Sequence, residues 1–257
     1  WSSDVCSSDL ENMEEKYMFF TVLLHFGTLI SVCMVYWRDI VDMIREFFLG
    51  IAALAGRKDT GVAPPPARRM VMLIIIATVP LFVMVFLQDA VNQLFSNSIM
   101  VSCALLATGF ILFFSDRMAR GHKTAKNATV ADALIVGCGQ ALAVIPGLSR
   151  SGTTISVGMM RGFDRAFAVR FSFLMSLPAV LGANVLEIKD ALASNFPIEE
   201  LPMYLVGVAV SAVVGYFAIR LVKSLSDKGK FGKFAYYCWA VGLGSLVAGI
   251  VKMMLLK

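Results

Sequence analysis

The sequence predicts an all-α polytopic membrane protein of about six transmembrane helices with one re-entrant helical hairpin, and three observations carry that reading. Of the 257 residues, 58% are hydrophobic and 16% charged, whereas soluble domains hold roughly 25% charged residues. The mean hydropathy is +0.75. Lys and Arg collect in short stretches between long apolar runs. Two apolar arms too short to cross a bilayer flank a break rich in Pro, Gly and Ser at residues 146–152. A water-soluble globule, a disordered chain and a collagen-like chain are all excluded.

The segment Trp1 to Leu10 has no initiator Met, repeats Ser-Ser-Asp and lacks the basic and apolar regions of a signal peptide. It resembles translated adapter sequence and is set apart from the fold. Residues 11–257 are then expected to form one integral-membrane domain that begins partway into a longer protein. A first span is predicted over residues 17–37, closed by Arg38. A charged linker with Arg38, Arg45, Arg57, Lys58, Arg68, Arg69 and a stiff run of three prolines follows. Residues 70–87 form a second span around Pro80, and 99–114 a third. A bundle tolerates such a proline because its neighbours satisfy the freed carbonyl.

Residues 130–160 hold the two short arms, and an arm of fewer than ~20 apolar residues does not span alone. A re-entrant hairpin accommodates both, since non-helical backbone at membrane depth survives only inside protein or beside a wet cavity. Spans over 167–186, 201–222 and 234–256 complete the chain. The loops 38–69, 116–129 and 223–233 are basic, which places them in the cytoplasm, and leaves 89–98 and 187–200 outside. This alternation closes only if the hairpin enters and leaves on the cytoplasmic side, where Arg161 and Arg165 stand. Three spans, a hairpin and three more spans put an odd number of crossings in each half, which relates the halves as an inverted-topology repeat, so a matching hairpin is expected ahead of residue 17.

The minor components exclude other classes. Cys6, Cys33, Cys103, Cys138 and Cys238 show no Cys-x-x-Cys spacing, which leaves them as inert thiols. The net charge of +5 lies in the loops and does not indicate nucleic acid.

One motif carries chemistry, Pro146-Gly-Leu-Ser-Arg-Ser-Gly-Thr-Thr154. Gly147 and Gly152 allow a tight turn and close approach of a ligand to the backbone. Consecutive N–H groups form an anion nest, and a helix starting near Thr153 adds a partial positive charge. Ser149, Ser151, Thr153 and Thr154 supply hydroxyls, and Arg150 a forked cation suited to two phosphate oxygens. A guanidinium buried at membrane depth is costly enough to point to function. The bland alternative is a structural hairpin whose Arg150 pairs with Asp132 or with a helix C-terminus. His25, mid-span, is read equally as an accessory site residue or as a neutral imidazole bonded to a carbonyl. Gln140 is read as orienting a hydroxyl or water, or as making an interhelical hydrogen bond. Asp132 is expected to cap a helix or pair with an arginine, and His122 is a loop residue without visible partners.

The stretches P-G-L-S-R-S-G-T-T-I (146–155) and R-G-F-D-R-A-F-A-V-R-F-S-F-L-M-S-L-P-A (161–179) resemble the hallmark region of the undecaprenyl-diphosphate phosphatase (bacitracin-resistance) family. D-A-L-I-V-G-C-G-Q-A-L-A-V-I (132–145) and L-H-F-G-T-L (24–29) fit the same family, and the resemblance runs from Glu11 to Lys257. It implies an inner-membrane enzyme that removes the terminal phosphate of undecaprenyl diphosphate, recycling the lipid carrier for cell-wall synthesis and conferring bacitracin resistance. It further implies Arg150 as the phosphate-binding arginine with Ser149 and Ser151 beside it, and a divalent cation, Mg²⁺ or Ca²⁺. The family's metal-holding motif, E-x-x-x-E followed by P-x-S-S-x-H, is not present here, and Glu11, Glu14 and Glu15 lack its context. No metal ligand is therefore assigned, and the sequence as it stands is expected to hold half of an active site. The competing reading is a polyprenyl-phosphate binder or flippase without hydrolysis, because broken helices in inverted repeats are also a transporter plan. Assembly as a homo-oligomer is left open by the sequence.

Overall fold

The computed structural model describes residues 20–21, 23–54, 65–87, 98–193 and 201–255. Glu11, Glu14, Glu15, the segment 1–10 and most of the loops 89–98 and 187–200 lie outside them. In chain order the described helices are α1 (Leu23–Val35), α2 (Trp37–Leu54), α3 (Pro66–Phe86), α4 (Ser98–Met118) and α5 (Val130–Leu142). After these come α6 (Arg150–Met160), α7 (Arg165–Ala193), α8 (Leu201–Asp227) and α9 (Phe234–Leu255). Five of them, α3, α4, α7, α8 and α9, are long and apolar enough to cross a membrane, and α1 and α5 are shorter apolar helices.

Two departures from expectation have local causes. The stretch read as a charged linker holds α2, because its charges all fall on one side of a helix. The span expected from residue 70 begins at Pro66, since proline suits the first helical position, where its missing N–H is no loss. Pro80 and Pro178 both lie inside helices that continue past them.

The described residues cluster into two compact units, those up to Trp37 with those of Ser176–Leu221, and those of Arg38–Met175 with those from Val222 onward. In the first, small residues let α1 and α8 meet closely, as membrane helix pairs require. The Ser31 hydroxyl donates to the Ala212 carbonyl at 2.7 Å, and that of Ser211 to the Leu24 carbonyl at 2.7 Å. A Cβ on Gly27 would stand 2.6 Å from the Val208 carbonyl oxygen.

The second unit is built around the hairpin of α5 and α6. Helix α5 packs on α3 so tightly that a Cβ on Gly137 would sit 2.2 Å from the Ala77 carbonyl oxygen. Helix α4 packs on α9 through Ser102 and Ser245, whose hydroxyls are 2.8 Å apart. Val136, Ile155, Met159, Phe163 and Phe171 fill the core beneath the hairpin, each at most 1% exposed.

One end of this unit gathers the basic segments. The start of α5 and the end of α6 are stitched together by backbone bonds from Lys123 N to Gly162 O (3.0 Å) and Asp164 N to Lys123 O (2.9 Å). Asp132 is fully buried and accepts from Lys123 Nζ at 2.8 Å and Arg161 Nη2 at 2.9 Å. It also closes a capping box with Thr129. Arg69, at the start of α3, reaches the Ala128 carbonyl at 2.9 Å. Asp116, at the end of α4, accepts from Arg165 and from the Gly232 N–H. The two arms of the hairpin therefore enter and leave at the same end, and that end carries the Lys and Arg of the loops around it.

Asp132 sets a pH dependence. Burial works against its charge, but hydrogen bonds from Lys123, Thr129 and Arg161 outweigh it and hold the carboxyl at about 2. The unfolded value is about 3.9, so the folded state gains stability from this group above about pH 4 and loses it as pH falls through about 2. Asp132→Asn removes that gain at neutral pH. Its partners are partly solvated, so the expected cost is about 1–2 kcal/mol. Thermal unfolding in detergent from pH 7 down to pH 2 checks this, and the variant is expected to lose the acid-dependent limb.

Candidate active site

The tip of the hairpin, residues 143–149, lies one helix length from the basic end. Thirteen residues of α5 at 1.5 Å rise put it about 20 Å away. The turn requires glycine at 147. Its φ is +94°, and a Cβ there would meet the Val101 carbonyl oxygen at 2.3 Å. Helix α4 is thus the wall on which the turn is shaped. Thr108 of α4 fixes it from both sides, donating to the Gly147 carbonyl at 3.2 Å and accepting from the Ser149 N–H at 3.2 Å.

Ser149 is the N-cap of α6, with its Oγ accepting from Gly152 N at 3.2 Å. That bond commits the hydroxyl to the helix start and aims the first-turn N–H groups outward, since a helix leaves its first four without internal partners. Arg150 is the first residue of α6 and is exposed. Among the described residues no carboxylate or carbonyl pairs with its guanidinium. The bland pairing with Asp132 is ruled out by position, because Asp132 is spent on Lys123 and Arg161 at the far end of the hairpin. The guanidinium stands at the helix N-terminus with no anionic partner among the described residues.

The remaining hydroxyls divide by direction. Ser151 is half-buried, and its hydroxyl bonds to no other described residue. Thr154 turns inward, donating to the Arg150 carbonyl at 2.9 Å and sharing a 2.5 Å bond with Ser172 of α7. Its role is to hold the first turn, not to present a hydroxyl. Thr153 is 4% exposed and Gln140 1% exposed, and the Thr153 hydroxyl and both Gln140 amide atoms lack hydrogen-bond partners. The interhelical bond expected of Gln140 is thus not made. The two residues belong to the two arms of the hairpin, and Thr153 Cγ2 would lie 3.8 Å from a Cβ on Gly139, the residue before Gln140. Buried polar groups of this kind are normally satisfied by an ordered water or a bound oxygen. His25 belongs to the other unit, and its Nδ1 lies 2.8 Å from the Thr21 carbonyl.

These donors suit an anion. Guanidinium, hydroxyls and helix N–H groups all offer hydrogens to oxygen. Among the described residues no group of three His, Cys, Asp or Glu side chains is placed to hold a metal ion, so the described residues do not fit a divalent cation. Sequence reasoning missed Thr108 and Ser172. Thr108 also bonds its own Ala104 carbonyl at 3.1 Å, the ordinary habit of a lone threonine in an apolar helix. Nothing in the pattern therefore marked it. Thr108→Val is expected to lose both bonds to the turn, costing about 1–2 kcal/mol. Melting in detergent measures the loss.

Comparison with known proteins bears on what this anion is. The family described as bacitracin resistance protein BacA matches residues 5–244. A protein of Alkaliphilus metalliredigens named undecaprenyl-diphosphatase is 40% identical over 230 residues, covering 89% of this chain and 83% of the relative. One of the same name from Methanobrevibacter smithii is 39% identical over 242 residues, covering 93% and 87%. A third, from Methanosphaera stadtmanae, is 36% identical over 241 residues, covering 92% and 86%.

Proposed function

The chain belongs to the bacitracin resistance protein BacA family, and from that premise we propose that it is a multi-pass membrane hydrolase of undecaprenyl diphosphate. It releases inorganic phosphate and returns undecaprenyl phosphate to cell-wall synthesis, with bacitracin resistance as the consequence. The site is placed in the plasma membrane, where the lipid carrier works. One observation supports the site assignment above others: an unpaired Arg150 and a free Ser151 hydroxyl at the capped N-terminus of α6.

In this reading Arg150 grips two oxygens of the terminal phosphoryl group, and the first-turn N–H groups and the Ser151 hydroxyl bind the third. Water adds to the terminal phosphorus and passes a proton to a phosphate oxygen, the bond to the bridging oxygen breaks, and the lipid monophosphate leaves with that oxygen. The transition state spreads negative charge over the equatorial oxygens, so positioning and fixed donors supply most of the catalysis. Ser149 acts as a positioning residue through its cap, and Thr108 and Thr154 hold the turn and the first helical turn. The buried Gln140 amide and Thr153 hydroxyl, which lack partners among the described residues, suit ordered water or a bound oxygen. Every group named comes from one copy of the chain, so the proposal does not need a homo-oligomer.

A divalent cation, Mg²⁺ or Ca²⁺, belongs to the proposal on the family resemblance. Its ligands are not among the described residues, and none of the roles above passes through it. Chelation is expected to lower phosphate release, measured with and without EDTA. The in vivo test is complementation. In a bacterium depleted of its own undecaprenyl-diphosphatase, the chain is expected to restore growth and bacitracin tolerance, and Arg150→Ala is expected not to. Failure of the membrane-inserted chain to do so overturns the assignment.

A further inference from the structure

Helix α2 is amphipathic in the reverse sense to a helix packed in water. Trp37, Val41, Ile44, Phe48 and Ile51 recur at helical spacing, and each is between 43% and 64% exposed. The opposite face carries Asp39, Asp42 and Glu46. It is this charged face that is fastened to the protein, through Asp39 to Arg170 of α7 at 3.2 Å and Glu46 to Arg68 of α3 at 3.2 Å. A cavity of about 410 Å³ with mixed polar and apolar walls lies along it, lined by Asp39, Asp42, Arg45, Glu46 and Arg170 together with apolar residues. The ion pairs hold the apolar stripe turned away from α3 and α7.

We propose that α2 is an in-plane anchor whose Trp37–Val41–Ile44–Phe48–Ile51 stripe is buried in the lipid–water interface, on the leaflet at the basic end of the hairpin. Water does not reward an outward apolar stripe, and a spanning orientation is excluded by five charges between Arg38 and Glu46. The chain enters α2 straight from the apolar helix α1, so α2 is tethered at the membrane. Arg68, one anchor point, adjoins Arg69, which binds Ala128 at the base of the hairpin. That fixes which end of the unit α2 occupies. Met72, Ile75, Val79 and Phe82 of α3 are exposed in the same way, as the lipid-facing side of a span.

Charge placement favours lipid over a second protein copy. Arg38 and Arg45 both fall on one border between the stripe and the acidic face, at angles from which long cationic side chains reach lipid headgroups. Trp37 stands at the end of the stripe, the position aromatic residues take at the membrane surface.

The test places the photoreactive residue p-benzoylphenylalanine singly at Ile44, Phe48 or Asp42 of the full chain. Each protein is reconstituted in vesicles of phosphatidylcholine and phosphatidylglycerol, and the adducts are read by mass. Lipid adducts at 44 and 48 are expected at about fivefold or more the yield at 42, as for a helix with one face in the interface. Equal yields at all three positions, no lipid adduct at 44 and 48, or crosslinks between two chains at 44 overturn it. Two positions on the stripe guard against one substitution failing to fold. The readout does not use phosphate release, so it stands apart from the assignment of the active site.

Discussion

Arg150→Ala is expected to lower phosphate release from undecaprenyl diphosphate by about 10²–10³-fold, the usual loss when one fixed donor to a transition-state oxyanion is removed. Its melting temperature is expected to stay close to wild type, because the side chain is exposed and pairs with no described residue. Arg150→Lys keeps the charge but not the fork, and a point charge does not hold two oxygens in one plane. It is expected to recover only a small part of the rate. Steady-state kinetics together with thermal unfolding in the same detergent check both variants. A large loss of stability in Arg150→Ala would instead mark the arginine as structural.

The second large effect is conformational. Gly147→Ala forces a side chain into φ +94° and places a Cβ 2.3 Å from the Val101 carbonyl oxygen and 2.9 Å from Ala104 Cβ. The left-handed strain costs about 1–3 kcal/mol. Overpacking against a rigid helix adds about 1–3 kcal/mol. Because backbone is the obstacle, α4 and the turn have to separate, which moves Ser149 away from Thr108 and tilts the start of α6. Both melting temperature and activity are expected to fall sharply. Gly244→Ala is the control: nothing lies within 4 Å of its Cβ position, so it is expected to be neutral or slightly stabilising.

Some of this was legible in the sequence for physical reasons. The hairpin announced itself because a Pro146-Gly147 break between two short apolar arms has no other stable place in a bilayer. Gly147 was readable as a turn glycine, and Asp132 as a cap, since both roles follow from local backbone needs. Helix α2 was hidden by its charges, which read as a polar linker until their angular positions are plotted. At 100° per residue Asp39, Asp42 and Glu46 fall together and leave the other side apolar. The division of labour among the hydroxyls was not legible at all. Ser149, Ser151 and Thr154 are equivalent in a motif, and only the bonds to Gly152 and Ser172 separate the cap and the inward brace from the free group.

The central claim is that this anion site cleaves the diphosphate and does not merely hold it. The most direct measurement reconstitutes the chain in vesicles with undecaprenyl diphosphate and follows free phosphate and lipid products together. One phosphate released per undecaprenyl phosphate formed, with both lost in Arg150→Ala, is the predicted result. Lipid recovered as intact diphosphate, redistributed between leaflets with no phosphate released, would contradict it and make the chain a carrier of the same headgroup.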